Sequence, residues 1–183
     1  MQSKKLAKLL NPYDDISLGE NAPQIVNAYI EGDTIKYEFV PQSGLLEPAR
    51  TLAEGFEFPT YYGSIPQTLG QDEDPVDLFV FCSTALEREE IVSVEVQGVL
   101  KCIGNGQEDH KILAVCANDS KLSNIRQYED LDISIIYNFY KSMPKPEGYT
   151  FQMLGFGGKE EAYRIINEGH RIYDQAHNRI PLA

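Results

Sequence analysis

Asp72, Glu73, Asp74 and Asp77 place four carboxylates within six positions, in a stretch, DEDPVDLFV, that runs straight into an apolar segment. Each anion raises the cost of ionising its neighbours, so the cluster calls for a neutralising cation. Asp77 opens a strand-like apolar run, where a carboxylate without a partner is expensive. A hard divalent ion supplies that partner: Mg²⁺ prefers oxygen donors, keeps several waters and shares the rest of its shell with phosphate. Competing readings fail. An EF-hand loop counted from Asp72 puts Val76, Asp77 and Ser83 at its positions 5, 6 and 12, which require Asp, Gly and Glu. Pro75 blocks the helix of an aspartate-rich prenyl-diphosphate site. A haloacid-dehalogenase pattern sets its aspartates after a strand, and here the strand follows them. A solvated acidic turn, the usual fate of a charge run, leaves Asp77 unexplained.

A phosphate-bearing substrate also needs cations and donors. Lys36 shares a strand face with Glu38, and Arg50 precedes the turn PTYYG (59–63) that holds Tyr62. Asp109 and Lys111 lie two apart, hence on one face of a strand start. Tyr140 and Lys141 close a helical segment. Each of these has a bland reading, a surface lysine or a tyrosine with a buried ring, and the set gains its meaning from the aspartates.

The elements that must position these residues change period along the chain. TIKYEFV (34–40) alternates, VDLFVFC (76–82) is nearly all apolar as in a strand buried on both sides, IVSVEVQGVL (91–100) alternates, and KILAVC (111–116) follows a short loop. Gly, Pro and acidic turns separate them, which predicts a closed or strongly curved antiparallel barrel. Beyond these, Leu131, Ile135, Ile136, Phe139 and Met143 predict a helix over 128–143 ended by Pro144, and Tyr163, Ile166 and Tyr173 a second over 159–179. The glycine turn GFGGKEE (155–161) lacks a βαβ setting and reads as that helix's N-terminus. Asp130 and Asp132 are expected to serve the first helix's start, and His110 to face away from Asp109 and Lys111. The whole, 1–183, reads as one α+β domain.

Composition narrows the partners. With a formal net charge of −12 the chain has no basic stretch to neutralise nucleic-acid phosphates. The opening MQSKKLAKLL has too short an apolar run for a signal peptide, and nothing approaches a membrane span. The three cysteines, Cys82, Cys102 and Cys116, are expected to be buried reduced thiols in a cytoplasmic protein.

These residues together resemble the soluble, Mg²⁺-dependent β-barrel family of inorganic pyrophosphatases. The likeness rests on the D-x-D-P-x-D signature at Asp72–Asp77, and extends in order to IKYE (35–38), Arg50, PTYYG (59–63), GVLK (98–101), EDHK (108–111), KL (121–122) and YK (140–141). Spacing from IKYE to the signature, and from GVLK to EDHK, needs no gaps. The resemblance implies a five-stranded barrel of the oligonucleotide-binding type flanked by two helices, assembled as a homo-oligomer, usually a hexamer. It implies hydrolysis of pyrophosphate to two phosphates with several Mg²⁺ ions per site, Mn²⁺ being the alternative. Asp72, Asp77 and Asp109 would bind metal, with Glu38 in support. Asp74 would orient or deprotonate the attacking water, beside Tyr62 and Arg50 as catalytic residues. Lys36, Arg50, Lys111, Tyr140 and Lys141 would hold pyrophosphate.

Two positions depart from the family pattern. A family Asp in the loop after GVLK is here Gly104, for which Asn105 or Glu108 would be partial substitutes. A family Glu before IKYE falls on Asn27, or on Glu31 if a hairpin is shorter. These losses frame the alternative, a non-catalytic protein of the same fold that binds metal or a phosphate compound. A hydrolase of another phosphoanhydride, such as a nucleotide, would differ in cleft width.

Overall fold

The computed structural model describes residues 25–32, 35–40, 45–88 and 90–176, with side chains described at 47, 48, 52–88 and 90–176. Among these the elements run β1 (Ile25–Gly32), β2 (Ile35–Val40), β3 (Leu45–Thr51), β4 (Tyr61–Ser64), β5 (Asp77–Phe81), β6 (Ile91–Gly104), β7 (Gln107–Glu108), β8 (Lys111–Cys116), α1 (Ser134–Ser142), β9 (Phe151–Gly157) and α2 (Lys159–Ala176). Hydrogen bonding joins β1, β4, β5, β8 and β6 in that order, and β6 returns to β1. The five strands therefore close on themselves, as expected, and closure leaves no free edge among them. β9 continues the sheet alongside β6.

One seam corrects the expectation of an antiparallel barrel: β5 and β8 run parallel, with Asp77 opposite Lys111 and Phe81 opposite Val115. A parallel pair needs a long connection between its strands. The long β6 and its β7 turn supply it, and the result sets an anion and a cation side by side at one end of the barrel. Of the segment 34–40, expected as a barrel strand, the described residues 35–40 instead form a separate two-stranded sheet, β2 with β3. Its register places Lys36 opposite Arg50 and Glu38 opposite Glu47. The side chains of Asn27, Glu31, Lys36, Glu38 and Arg50 lie outside the described ones; Asn27 itself pairs with Ser93 of β6.

The unbroken apolar run of β5 follows from burial on both faces. Leu78 and Val80 join a core with Ala162 and Ile166 of α2, and Phe79 joins a second core with Ile136, Phe139 and Tyr140 of α1. α1 is shorter than its apolar spacing predicts. Residues 128–130 form a single 3-10 turn whose Asp130 carboxylate accepts from the amides of Arg126 and Gln127, and Leu131 is extended at ψ 152°. Leu131 and Met143 are buried but lie outside the helix. Asp132 does not cap the helix: the N-cap position is Ile133, without a side-chain cap bond, and the Asp132 carboxylate accepts from the Ser134 hydroxyl instead. α2 begins at Lys159, as the glycine turn before it predicts; residues 177–179 of that predicted helix, with His177, lie outside the described residues. No helix among the described residues is long and apolar enough to cross a membrane. Cys102 is buried, whereas Cys82 and Cys116 are half-buried, and all three are free thiols.

α2 also clamps the loop that carries the acidic cluster. The Leu69 amide donates to the Gly169 carbonyl at 3.0 Å, and His170 Nδ1 donates to the Gln67 carbonyl at 2.6 Å. Thr68 locks the same loop from within, its hydroxyl donating to the Ile65 carbonyl at 2.6 Å and accepting from the Val76 amide at 2.9 Å. Gln67 sits at φ 59°, a left-handed conformation costing a non-glycine residue about 1–3 kcal/mol, which the bond to His170 helps to offset. Burial holds the His170 pKa below its ordinary 6.5. The unfolded chain thus takes up a proton that the folded one refuses, so this contribution is complete above the ordinary histidine value and is lost as pH falls through it. Urea titrations between about pH 8 and about pH 5 should show a steeper loss of stability in the wild type than in His170→Gln, which keeps a donor but cannot titrate. Parallel curves would contradict the clamp.

Candidate active site

Asp72 and Asp74 come from the loop between β4 and β5, Asp77 from the first residue of β5, Asp109 from the end of the β7 turn, and Lys111 from the first residue of β8. The loop is a tight turn. The Gly70 amide donates to the Asp74 carbonyl at 2.7 Å, and the Asp74 amide donates to Asp72 Oδ1 at 3.2 Å. A Cβ on residue 70 would stand 2.7 Å from Asp72 Oδ1, so glycine is what lets the carboxylate fold inward there. Glu73, at φ 67°, turns out to solvent.

The centre of the site is an ammonium held by two carboxylates. Lys111 Nζ donates to Asp77 Oδ2 and to Asp109 Oδ1, and the lysine is 3% exposed. Burial pulls its pKa down, but the two anions outweigh burial and hold it well above the ordinary lysine value. The charge is therefore fixed at any physiological pH. Asp72 stands nearby with its carboxyl held above the usual range, by burial first and then by Asp109 and Asp77. Two phenols complete the floor. Tyr62 stacks on Phe58 at 4.1 Å and hydrogen-bonds Asp77; burial, then Asp77, pushes its pKa well up. Tyr140 stacks on Phe151 at 4.6 Å and is likewise pushed up by burial. Both stay protonated, and the Tyr62 hydroxyl donates to Asp77.

A cleft of about 250 Å³ gathers Asp72, Asp74, Asp109, Lys111, Tyr62 and Tyr140. A larger groove of about 950 Å³ runs on between the acidic loop and α2, sharing Asp72 and Asp109 and adding Asp77. The candidate base, cation and phenols converge on the smaller space. The donors are hard oxygens in one cleft, and the raised Asp72 carboxyl reports the like-charge penalty that a divalent cation relieves, so the residues fit the Mg²⁺ that their spacing calls for. Among the described residues no three of these carboxylates close on one point as they stand, since the Lys111 ammonium occupies the position between Asp77 and Asp109.

The structure does not bring Lys141 into the cleft: it is exposed, its ammonium 5.7 Å over the Tyr137 ring. Lys145 instead meets Tyr140, lying 5.5 Å over its ring and donating to its carbonyl at 3.0 Å. His110 faces away from Lys111 as expected, bonded to the backbone of Cys102. At Gly104 neither proposed substitute takes the place of the missing carboxylate. Asn105 Oδ1 accepts from the Thr150 amide at 3.1 Å, and Glu108 accepts from Gln71 at 3.1 Å. The space is taken by Tyr149, whose Oη would be 3.1 Å from a Cβ on residue 104, as would Asp109 Oδ2. Sequence spacing gives no signal for Tyr149, which reaches the cleft from the loop before β9.

The profile of the family described as inorganic pyrophosphatase matches residues 26–174. An inorganic pyrophosphatase of Bradyrhizobium diazoefficiens is 36% identical over 168 residues, spanning 85% of this chain and 93% of that protein. Soluble inorganic pyrophosphatase 1 of Arabidopsis thaliana is 29% identical over 169 residues, covering 89% of this chain and 80% of the relative. Among solved structures, one from Anaplasma phagocytophilum described as an inorganic phosphatase superposes with a TM-score of 0.80 at 31% identity, over 87% of this chain and 99% of its own. The inorganic pyrophosphatase of Thermus thermophilus superposes at 0.78 with 27% identity, over 87% and 97%.

Lys111→Met leaves the buried Asp77 and the half-buried Asp109 with no cation between them, and breaking a buried pair in this way typically costs about 3–5 kcal/mol. Thermal unfolding should show the variant strongly destabilised without divalent ions and recovering more with Mg²⁺ than the wild type does. Equal Mg²⁺ responses would show that the ion and the ammonium do not serve the same carboxylates.

Proposed function

The chain belongs to the inorganic pyrophosphatase family and hydrolyses pyrophosphate, and from that premise we propose that the cleft around Lys111 carries the reaction as a Mg²⁺-dependent site. The observation that supports this most is the convergence of Asp72, Asp74, Asp109, Lys111, Tyr62 and Tyr140 on one small cleft. Asp72, Asp77 and Asp109 hold the metal, with Glu38 in support. A divalent ion held by these carboxylates would supply Lewis-acid polarisation of a phosphoryl oxygen and would lower the pKa of a bound water towards neutrality.

Asp74 takes the water's proton. Its backbone is fixed by the Gly70 and Asp72 bonds, so the carboxylate is presented to the cleft without searching for its position. Tyr62 holds Asp77 in orientation from below. Lys111, Tyr140, Lys36 and Arg50 hold pyrophosphate, and Lys111 neutralises charge that builds on the departing phosphate. Lys141 serves at the rim, where its exposed side chain can swing to a bound substrate. Pyrophosphate is small and densely charged, and a cleft of about 250 Å³ suits it better than a nucleotide. Several carboxylates remain in the cleft without a residue 104 carboxylate, which favours weakened metal binding over loss of catalysis. We read the enzyme further as cytoplasmic and as a homo-oligomer on the pattern of its family.

Phosphate release should be rapid from pyrophosphate with Mg²⁺, absent without divalent ions and slight from ATP. Asp74→Asn should lower kcat by about 10²-fold or more with the melting temperature kept. Near-normal turnover in a folded Asp74→Asn protein would remove its role as base, and equal release from ATP would remove the substrate assignment.

A further inference from the structure

The far ends of β5 and β8 carry a second chemical group. Phe81 and Val115 are the last paired residues of the parallel seam, and the next residue on each strand is a cysteine, Cys82 and Cys116. Neighbouring strands lie about 4.7–4.9 Å apart, inside the Cα separation that disulfides span. The thiols share a hydrogen bond, are both half-buried, and line one cavity of about 420 Å³ with Ser83, Thr84, Asp119 and Lys121. Cys82 Sγ also lies 3.2 Å from Thr84 Oγ1.

The chain segments leaving the two strands are tied together at this point. Asp119 Oδ2 accepts from the Ser83 amide at 2.5 Å and Oδ1 from the Ser83 hydroxyl at 2.8 Å, while the Asp119 amide donates to the Cys116 carbonyl at 3.2 Å. One carboxylate thus pins the residue after Cys82 to the turn after Cys116. Because Cys82 lies one residue past the last ladder pair of β5, its backbone can close the remaining gap without unpairing the seam.

We propose that Cys82 and Cys116 form a dithiol site that reacts with low-molecular-weight disulfides of the glutathione type and closes to an intramolecular disulfide. The Cys82 thiolate attacks one sulfur of oxidised glutathione, forming a mixed disulfide and releasing one glutathione thiolate, which takes up the cysteine's proton. Cys116 then gives up its proton and attacks the Cys82 sulfur, breaking the mixed bond and releasing the second glutathione. Two protein thiols are oxidised and one small disulfide is reduced. Burial holds the Cys116 thiol well above its ordinary value, so it reacts second, as the resolving partner. Lys121, exposed at the rim, offers a positive charge to the carboxylates of such a peptide.

The test is incubation of the whole protein with oxidised glutathione, removal of the reagent, intact-mass measurement and non-reducing peptide mapping. The expected product has lost two hydrogen atoms, yields a peptide pair joined through Cys82 and Cys116, and melts about 5–10 °C higher until dithiothreitol reverses it. Cys82→Ser, or Cys82→Ala should the serine variant fold poorly, should give no crosslink, and Cys102→Ser should give the same crosslink as the wild type. Stable separate glutathione adducts on both thiols, a crosslink through Cys102, or an unchanged mass would each overturn the proposal.

Discussion

The buried ammonium of Lys111, shared between Asp77 and Asp109, is the interaction on which the arrangement depends. A lone buried carboxylate or ammonium carries a desolvation cost of several kcal/mol, and here three such groups lie in one place. They coexist because the parallel seam puts the first residue of β5 opposite the first residue of β8, and because Asp109 sits two residues before Lys111 on the same strand face. Replacing Lys111 would leave both carboxylates without their cation, whereas replacing either aspartate would still leave an ion pair. The ammonium also holds the two carboxylates on either side of one point, where a divalent ion would compete for the same oxygens.

Around this centre the chain divides labour between rigid and adjustable parts. Tyr62, Phe58 and Phe79 form an aromatic floor under Asp77, with Phe79 edge-on to Tyr62 at 5.2 Å. The acidic loop above the floor has little core of its own. Its shape comes from the bonds of Thr68, from the left-handed Gln67, and from the α2 carbonyl and imidazole that reach across to it. The apolar face of α2 is therefore linked to catalysis at one remove: burying Ala162, Ile166 and Tyr173 against the barrel fixes where Gly169 and His170 stand.

Much of this was legible in the residues. The crowding of Asp72, Glu73, Asp74 and Asp77, the Asp109–Lys111 spacing, the two-sided burial of 76–82 and the start of α2 all follow from local chemistry and period. What was not legible is non-local. Strand direction at the β5–β8 seam is decided by how β6 returns, and no pattern within either strand encodes it. The separate β2–β3 sheet has the same alternation as a barrel strand. The apolar spacing over 128–143 is real, but Leu131 and Met143 reach the core from extended backbone rather than from a helix. The part played by Tyr149 was hidden for another reason: a glycine at 104 opens a space that a residue 45 positions later fills, and only packing reveals such a pair.

Lys111 stands where a divalent ion would compete for the same carboxylates. A crystal structure of the enzyme with Mg²⁺ and a non-hydrolysable pyrophosphate analogue tests it most directly. The expected result is metal between Asp72, Asp77 and Asp109, with the Lys111 ammonium turned from its Asp77–Asp109 bridge towards a phosphate oxygen. An ammonium still bridging both carboxylates, with metal bound elsewhere, would contradict it.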